Sequence, residues 1–273
     1  MSAFVNPLHP VAHAVLSTDA VMAGLIEAVG PYALQPSRLR SPFEALVRAI
    51  AHQQLNGIVA ERILGRFVDL FGTGALPSPE ILLAAEERQL RAVGFSAAKA
   101  AALKDLAAKA VGGIVPPLPE LQLLSDLEII ERLTAVRGIG RWTVEMMLIF
   151  QLERPDVLPV HDFGVRNGFR LAYGLRELPL PQALWRFGER WKPYRSVAAW
   201  YLWRAVELSR RGVLPRCRRP PRIAVRQLAA KVAHTRAKAQ ARNGARKATR
   251  KLKKAKKSRS AQRTRTVKRK NGA

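Results

Sequence analysis

A break in composition at residue 216 most constrains how this chain can fold. Residues 216–273 contain 23 basic residues but no acidic and no aromatic residue. Residues 1–215 hold 24 basic and 20 acidic residues, together with every Trp, Phe and Tyr of the chain. Too little apolar surface follows residue 216 to offset the entropy of ordering, so we predict a disordered basic tail there. The part before it has the composition of a packed domain.

The same composition excludes several classes of protein. The single cysteine, Cys217, rules out a disulfide framework and a four-cysteine iron–sulfur cluster within one chain. The sequence has no apolar run of about 18 residues that could span a membrane. Its N-terminus lacks the basic and apolar regions of a secretory signal. We therefore expect a cytoplasmic protein that makes no membrane contact.

Helix-forming patterns dominate residues 1–215, and alternating strand patterns are scarce. Ser41-Pro42-Phe43-Glu44 matches a capping box with proline at the first helical position. Similar helix starts occur at Ser78 and Ser125. The fold class is therefore all-α, with about eight to ten helices. Further helices are predicted over residues 58–70, 97–111, 142–151, 163–173, 181–190 and 194–211.

Three regions follow from these patterns. We expect an N-terminal segment over residues 1–37, a helical domain over residues 38–215 and the basic tail over residues 216–273. Three prolines fall between residues 115 and 121. This stretch is predicted to link two helical lobes of the domain.

The stretch from Leu133 to Thr143 carries the most specific motif. Gly138 and Gly140 allow a tight turn between two helices and expose backbone N–H groups where the second helix begins. A Gly-capped turn alone would explain both glycines. Arg137 and Arg141 flank the turn, so binding of a phosphate is an equally good interpretation.

Asp162 follows Trp142 by twenty residues and precedes a predicted helix. An aspartate in this position is typical of a plain N-cap. A carboxylate at the positive end of a helix is also suited to stabilising a cationic transition state or orienting a water molecule. The two roles are compatible, and the local sequence leaves both open.

Together these motifs resemble the helix–hairpin–helix superfamily of DNA base-excision glycosylases. The resemblance covers roughly residues 38–212. It includes the hairpin 136–140, its interval to Asp162, and the segment 43–50 that leads into Gln53-Gln54-Leu55. The segment 191–203 and Arg141-Trp142-Thr143 are similar to the DNA-3-methyladenine glycosylase II branch in particular.

The resemblance implies a role for each matching position. Asp162 would be the catalytic carboxylate, and Gly138 and Gly140 would donate their N–H groups to a DNA phosphate. The turn Gln53-Gln54-Leu55 would form the wedge that enters the base stack, with Gln54 as the probe. The residues expected to line the base pocket are Trp142, Phe163 and Trp203.

Position 142 indicates the type of reaction. Superfamily members that also cut the DNA backbone have a lysine there that forms a Schiff base, whereas this chain has Trp142. The resemblance therefore implies a monofunctional enzyme that hydrolyses the N-glycosidic bond and has no lyase activity. Alkylated purines of the 3-methyladenine and 7-methylguanine type are the expected substrates, and no cofactor or metal is expected. His161 and His52 depart from the family pattern.

We expect a monomer whose partner is double-stranded DNA containing alkylated bases. The tail should bind nucleic acid without sequence preference and associate the protein with the nucleoid. Two other hypotheses are a non-catalytic sensor of DNA damage and a nucleoid-associated protein in which the tail is the functional part. An asparagine at position 162 would have favoured the sensor.

Overall fold

A computed structural model describes residues 9–36, 41–72 and 74–215 of the chain. The predicted tail, residues 216–273, lies outside the described residues. The described part contains helices and no strand, which confirms the all-α fold class. The helices are α1 (His9–Leu16), α2 (Ala20–Val29), α3 (Pro42–His52), α4 (Gly57–Phe71), α5 (Pro79–Ala84), α6 (Glu87–Ala92), α7 (Ala97–Val111), α8 (Leu118–Leu123), α9 (Asp126–Thr134), α10 (Arg141–Phe150), α11 (Phe163–Ala172), α12 (Pro181–Gly188) and α13 (Arg195–Arg210). Within the described ranges this is more than the eight to ten helices expected, because several are only one or two turns long.

The helix starts seen in the sequence are formed as expected. The Ser41 hydroxyl accepts a hydrogen bond from the Glu44 backbone N–H and begins α3. Ser125 and Glu128 form a reciprocal capping box at the start of α9. Such caps supply acceptors for backbone N–H groups that have no partner within the helix.

The described helices pack around two cores. The first core takes its buried side chains from α3 to α10 and the loop up to Val157. The second core combines α1 and α2 with the chain from Leu158 onward, including α11, α12 and α13. Helices α1 and α2 bury Leu16, Met22 and Leu25 against α11, α12 and α13. The segment before residue 37 therefore packs against helices of the domain predicted to follow it.

The predicted linker between lobes is wrong. Val115 and Leu121 are both buried in the first core, and α8 begins inside the stretch at Leu118. Prolines at a helix start are compatible with helix formation because their missing N–H would have no partner there. The chain passes from one core to the other at residues 157–158, shortly before Asp162.

Helices α11 and α13 form the closest packing in the second core. A Cβ atom at Gly168 would lie 1.9 Å from the Leu202 carbonyl oxygen, so only glycine allows this approach. The contact fixes the start of α11 relative to α13. None of the described helices combines the length and the apolar character of a membrane span.

Candidate active site and DNA-binding surface

The Asp162 carboxylate is held by hydrogen bonds from three directions. It caps α11, where Oδ1 accepts a hydrogen bond from the Val165 backbone N–H at 2.7 Å. The Trp203 indole N–H donates to the same oxygen at 2.9 Å. The Trp142 indole N–H donates to Oδ2, also at 2.9 Å. Asp162 is therefore the N-cap of α11, and two indole N–H groups also fix its carboxylate.

Trp203 reaches Asp162 because of the glycine at position 164. A Cβ atom there would lie 2.8 Å from Trp203 Cδ1 and 3.1 Å from Asp162 Oδ1. The indole of Trp203 also stacks on Phe150, with ring centroids 5.6 Å apart, and packs against both cores. Sequence analysis did not single out Gly164. The sequence feature that could have identified it is the pair Gly164 and Gly168, one turn apart on α11, which is typical of close helix packing.

A cavity of about 410 Å³ lies between α3 and α10. This volume is within the range of about 300–1,000 Å³ that is typical of small-molecule sites. Trp142 lines the cavity with one face of α10, where Met146 and Phe150 follow at intervals of four residues. The opposite wall comes from α3 and includes Leu46 and His52.

The three aromatic residues predicted to line one pocket are not equivalent in the structure. Trp142 is 48% exposed and lines the cavity. Trp203 contacts Asp162 and Phe150, whereas Phe163 is 65% exposed at the first position of α11. The spacing of Trp142, Met146 and Phe150 was a signal that could have identified the cavity wall.

The hairpin between α9 and α10 is fixed from its buried side. Val136 and Ile139 are buried in the first core. The Arg137 backbone N–H donates to Asp105 Oδ2 at 2.6 Å. Burial alone would raise the pKa of Asp105, but this hydrogen bond and the ion pair with Lys109 hold it below its ordinary value.

The outer side of the hairpin presents backbone N–H groups. Gly138 has a φ of +80°, a conformation that favours glycine, and Gly140 is the N-cap of α10. In the described residues the N–H groups of Gly138 and Gly140 donate no intramolecular hydrogen bond. Donors of this kind at a helix start are suited to binding a phosphate.

Arg141, the first residue of α10, is held by a side chain one turn further along the helix. Its Nε donates to Glu145 Oε1 at 2.9 Å, while about half of the arginine side chain stays exposed. The Glu145 side chain is 3% exposed. Burial raises the pKa of Glu145, and the hydrogen bond from Arg141 opposes that shift. The pair directs a guanidinium to the surface beside the hairpin.

The turn Gln53-Gln54-Leu55 lies at the end of α3, beside the hairpin. Gln53 Nε2 donates to the Gly138 carbonyl oxygen at 2.8 Å. Gln54 is exposed and has a φ of +56°, an uncommon conformation for a residue other than glycine. Leu55 is 38% exposed. The structure therefore brings the predicted wedge and the predicted phosphate-binding turn together.

A family model described as HhH-GPD superfamily base excision DNA repair protein matches residues 47–193. The chain belongs to this superfamily. It is 42% identical over 188 residues to DNA-3-methyladenine glycosylase 1 of Schizosaccharomyces pombe, a match that covers 68% of this chain and 82% of the relative. It is 32% identical over 197 residues to an alkylbase DNA glycosidase-like protein of the same yeast, covering 72% of this chain and 92% of that protein.

Solved structures also resemble this HhH-GPD protein. The S. pombe 3-methyladenine DNA glycosylase in complex with abasic DNA superposes with a TM-score of 0.64 at 40% identity, covering 73% of this chain and 98% of that one. A DNA-3-methyladenine glycosidase of Bacillus halodurans gives a TM-score of 0.68 at 34% identity, covering 77% of this chain and 94% of that one.

The two histidines that depart from the family pattern have different surroundings in this HhH-GPD protein. His52 lines the cavity, and its Nε2 lies 2.9 Å from Glu61 Oε1, which also pairs with Arg48. His161 is exposed beside Asp162. In the described ranges, no group of three or more His, Cys, Asp or Glu side chains could hold a metal ion.

Each lysine of the described residues is engaged away from Asp162. Lys99 and Lys104 donate to backbone carbonyl groups at the ends of α3 and α5. Lys109 pairs with Asp105, and Lys192 pairs with Glu189. None of these lysines lines the cavity beside Trp142.

Proposed function

We propose that this protein is a monofunctional DNA glycosylase that hydrolyses the N-glycosidic bond of alkylated purines. One observation carries the proposal. Trp142 donates a hydrogen bond to Asp162 and also lines the cavity between α3 and α10. A carboxylate is thus fixed against a side chain that lines a cavity large enough for a small molecule.

The cavity would hold the base after it leaves the duplex. A glycosylase must extrude the nucleotide, because the bond it breaks is hidden inside the stack. Purines alkylated at N3 or N7 carry positive charge and are attracted to the face of an indole such as that of Trp142. Their charge also makes them good leaving groups, so bond cleavage needs little help from an acid.

Asp162 would stabilise the charge that builds on the sugar. As the glycosidic bond breaks, the deoxyribose becomes cationic, and a carboxylate at close range lowers the energy of that state. The hydrogen bonds from Trp142 and Trp203 fix both oxygens before the substrate arrives. The same carboxylate could orient the water that attacks the sugar.

Water, and not an amine, is the nucleophile in this proposal. A lyase needs an amine that can reach the sugar and form a Schiff base. Trp142 occupies the matching position, and the lysines of residues 9–36, 41–72 and 74–215 are engaged elsewhere. The product would be an abasic site with no strand cut. The related S. pombe enzyme was solved with abasic DNA.

Double-stranded DNA is the proposed partner of the hairpin face. The N–H groups of Gly138 and Gly140 would bind a phosphate, with Arg137 and Arg141 beside them. Residues Gln53, Gln54 and Leu55 would fill the gap left by the extruded base. The 23 basic residues after residue 215 would add nonspecific, salt-dependent attraction to nucleic acid.

Base release from methylated duplex DNA tests the proposal, with Asp162→Asn as the variant. Asparagine is as good an N-cap as aspartate, so α11 should remain stable while the charge is lost. We expect base release to fall by about 100- to 1,000-fold, the range seen when one charge-stabilising group is removed. Abasic sites and strand cuts are scored separately.

Three outcomes would contradict the proposal in different ways. No base release by the wild type, despite tight DNA binding, would favour a damage sensor. Strand cuts by the wild type without added base would contradict the argument from Trp142. Full activity of Asp162→Asn would mean that Asp162 serves only as a cap.

A further inference from the structure

We propose that Gln53 is a positioning residue that links the wedge to the hairpin, so that backbone binding and unstacking of the base occur together. The inference rests on the proposed function and deepens it. It assigns Gln53 a role different from that of Gln54, the residue expected to enter the stack.

The link is a single, well-formed hydrogen bond. Gln53 Nε2 lies 2.8 Å from the carbonyl oxygen of Gly138, 85 residues further along the chain. Gly138 has the positive φ that turns its peptide groups at the apex of the hairpin. The backbone of the hairpin is therefore held at two points. Asp105 of α7 accepts a hydrogen bond from the Arg137 N–H, and Gln53 donates one to the Gly138 carbonyl oxygen.

The wedge turn is also braced from α7. Lys99 Nζ donates to the Ala51 carbonyl oxygen at 2.7 Å, in the last turn of α3. Desolvation lowers the pKa of Lys99. The Leu55 backbone N–H closes the turn on the His52 carbonyl at 3.2 Å. Helix α7 thus supports the wedge through Lys99 and the hairpin through Asp105.

These contacts should lower the free-energy cost of unstacking a base, because they order the wedge before it meets DNA. A wedge on a loose loop would have to be ordered as it enters the duplex, and that entropy would oppose extrusion of the base. A wedge fixed to the hairpin enters at a set distance from the bound phosphate. Small errors in such placement are costly, since a displacement of about 1 Å can reduce a rate by about 100-fold.

A simpler role for Gln53 makes a different prediction. Gln53 is the C-cap residue of α3, and its side chain could serve only to stabilise that helix end. Loss of a stabilising contact alone would lower the melting temperature and would affect all DNA substrates alike. Loss of a link between wedge and hairpin would affect only substrates whose base is stacked.

The test uses the full chain with Gln53→Met, which keeps the length of the side chain but removes the donor. Gln53→Glu serves as a second variant of the same shape, and Gln122→Met on α8 is the matched control at an exposed position. One probe is a duplex with a tetrahydrofuran abasic analogue flanked by 2-aminopurine, whose fluorescence reports unstacking without chemistry. The others are undamaged duplex, methylated duplex and methylated single-stranded DNA.

We expect Gln53→Met to keep the salt dependence of binding to undamaged duplex, because the hairpin donors remain. The 2-aminopurine response should fall, and base release from duplex should slow by about 10- to 100-fold. Release from single-stranded DNA should slow much less than release from duplex, because little unstacking is needed there.

Two results would overturn the inference. The first is a wild-type 2-aminopurine response in both Gln53 variants. The second is an equal loss of activity on duplex and single strand together with a lower melting temperature. That result would show that Gln53 only stabilises the end of α3. If the wild type releases no base at all, the proposed function fails, and the fluorescence comparison still decides the role of Gln53.

Discussion

At the scale of single residues, the Asp162 carboxylate depends on two indole N–H groups from different helices. Trp142 lies in the first turn of α10 and Trp203 lies on α13, and each donates to a different oxygen. A tryptophan that serves only as a wall could donate its N–H to water or to any nearby acceptor. The arrangement indicates that both indoles orient the carboxylate in addition to any contact with a base.

Replacing Trp203 with phenylalanine tests this directly. The variant keeps an aromatic ring beside Phe150 but removes the donor to Asp162 Oδ1. A hydrogen bond to a charged group contributes about 1.5–3 kcal/mol, so base release should slow by roughly 10- to 100-fold. Single-turnover rates on methylated duplex are the measurement.

Trp185→Phe on α12 is the control for that experiment, because Trp185 contacts Arg195 and not Asp162. An unchanged rate for Trp203→Phe, with an intact fold, would show that the indole N–H does not contribute to catalysis.

At the scale of elements, the approach of α11 to α13 places the Asp162 carboxylate. Gly164 and Gly168 lie on the face of α11 that meets α13. Gly168 admits the Leu202 backbone, and Gly164 admits the Trp203 ring. Side chains at these two positions would force the helices apart and displace Trp203 from Asp162.

Two glycine substitutions should therefore have opposite effects on stability. Gly168→Ala places a Cβ 1.9 Å from the Leu202 carbonyl oxygen and should destabilise the protein by about 1–3 kcal/mol or more. In Gly65→Ala the new Cβ meets nothing within 4 Å on α4, and the change should stabilise the protein by about 0.5–1 kcal/mol. Denaturant unfolding of both variants measures the difference.

An unchanged stability for Gly168→Ala would mean that α11 and α13 can shift apart at little cost. That outcome would contradict the view that their close packing fixes Asp162 and Trp203. Gly65→Ala controls for the general effect of removing a helical glycine.

At the scale of the whole molecule, the candidate site lies where the two cores meet. Trp142 and the cavity belong to helices of the first core, whereas Asp162 caps α11 of the second core. Trp203 packs against both cores. Residues 216–273, which lie outside the described residues, add charge without aromatic side chains.

Deleting residues 216–273 should change affinity and leave the chemistry intact. Each tail cation that neutralises a phosphate contributes about 0.9 to the slope of log affinity against log salt, so the slope should become shallower. Base release with saturating enzyme at low salt should stay at the wild-type rate. Abolished release under those conditions would contradict this division of roles.

Local sequence patterns predicted much of this protein. Serine caps and apolar spacing identified most of the longer helices, because those signals depend on neighbouring residues alone. The motif around Gly138, Gly140 and Asp162 indicated the family, to which the chain belongs. Proline at a helix start was misread as a linker near residue 118, since a local pattern does not reveal which core a segment joins.

Tertiary structure alone decided the contacts between distant segments. The hydrogen bonds of Asp162 with Trp142 and Trp203, and that of Gln53 with Gly138, join residues 20, 41 and 85 positions apart. Their formation depends on how α10, α11 and α13 pack, and that packing depends on glycines whose role appears only when a second helix lies against them. Local sequence set where most of the longer helices form and which chemical groups they carry. The packing of the two cores determined which of those groups meet.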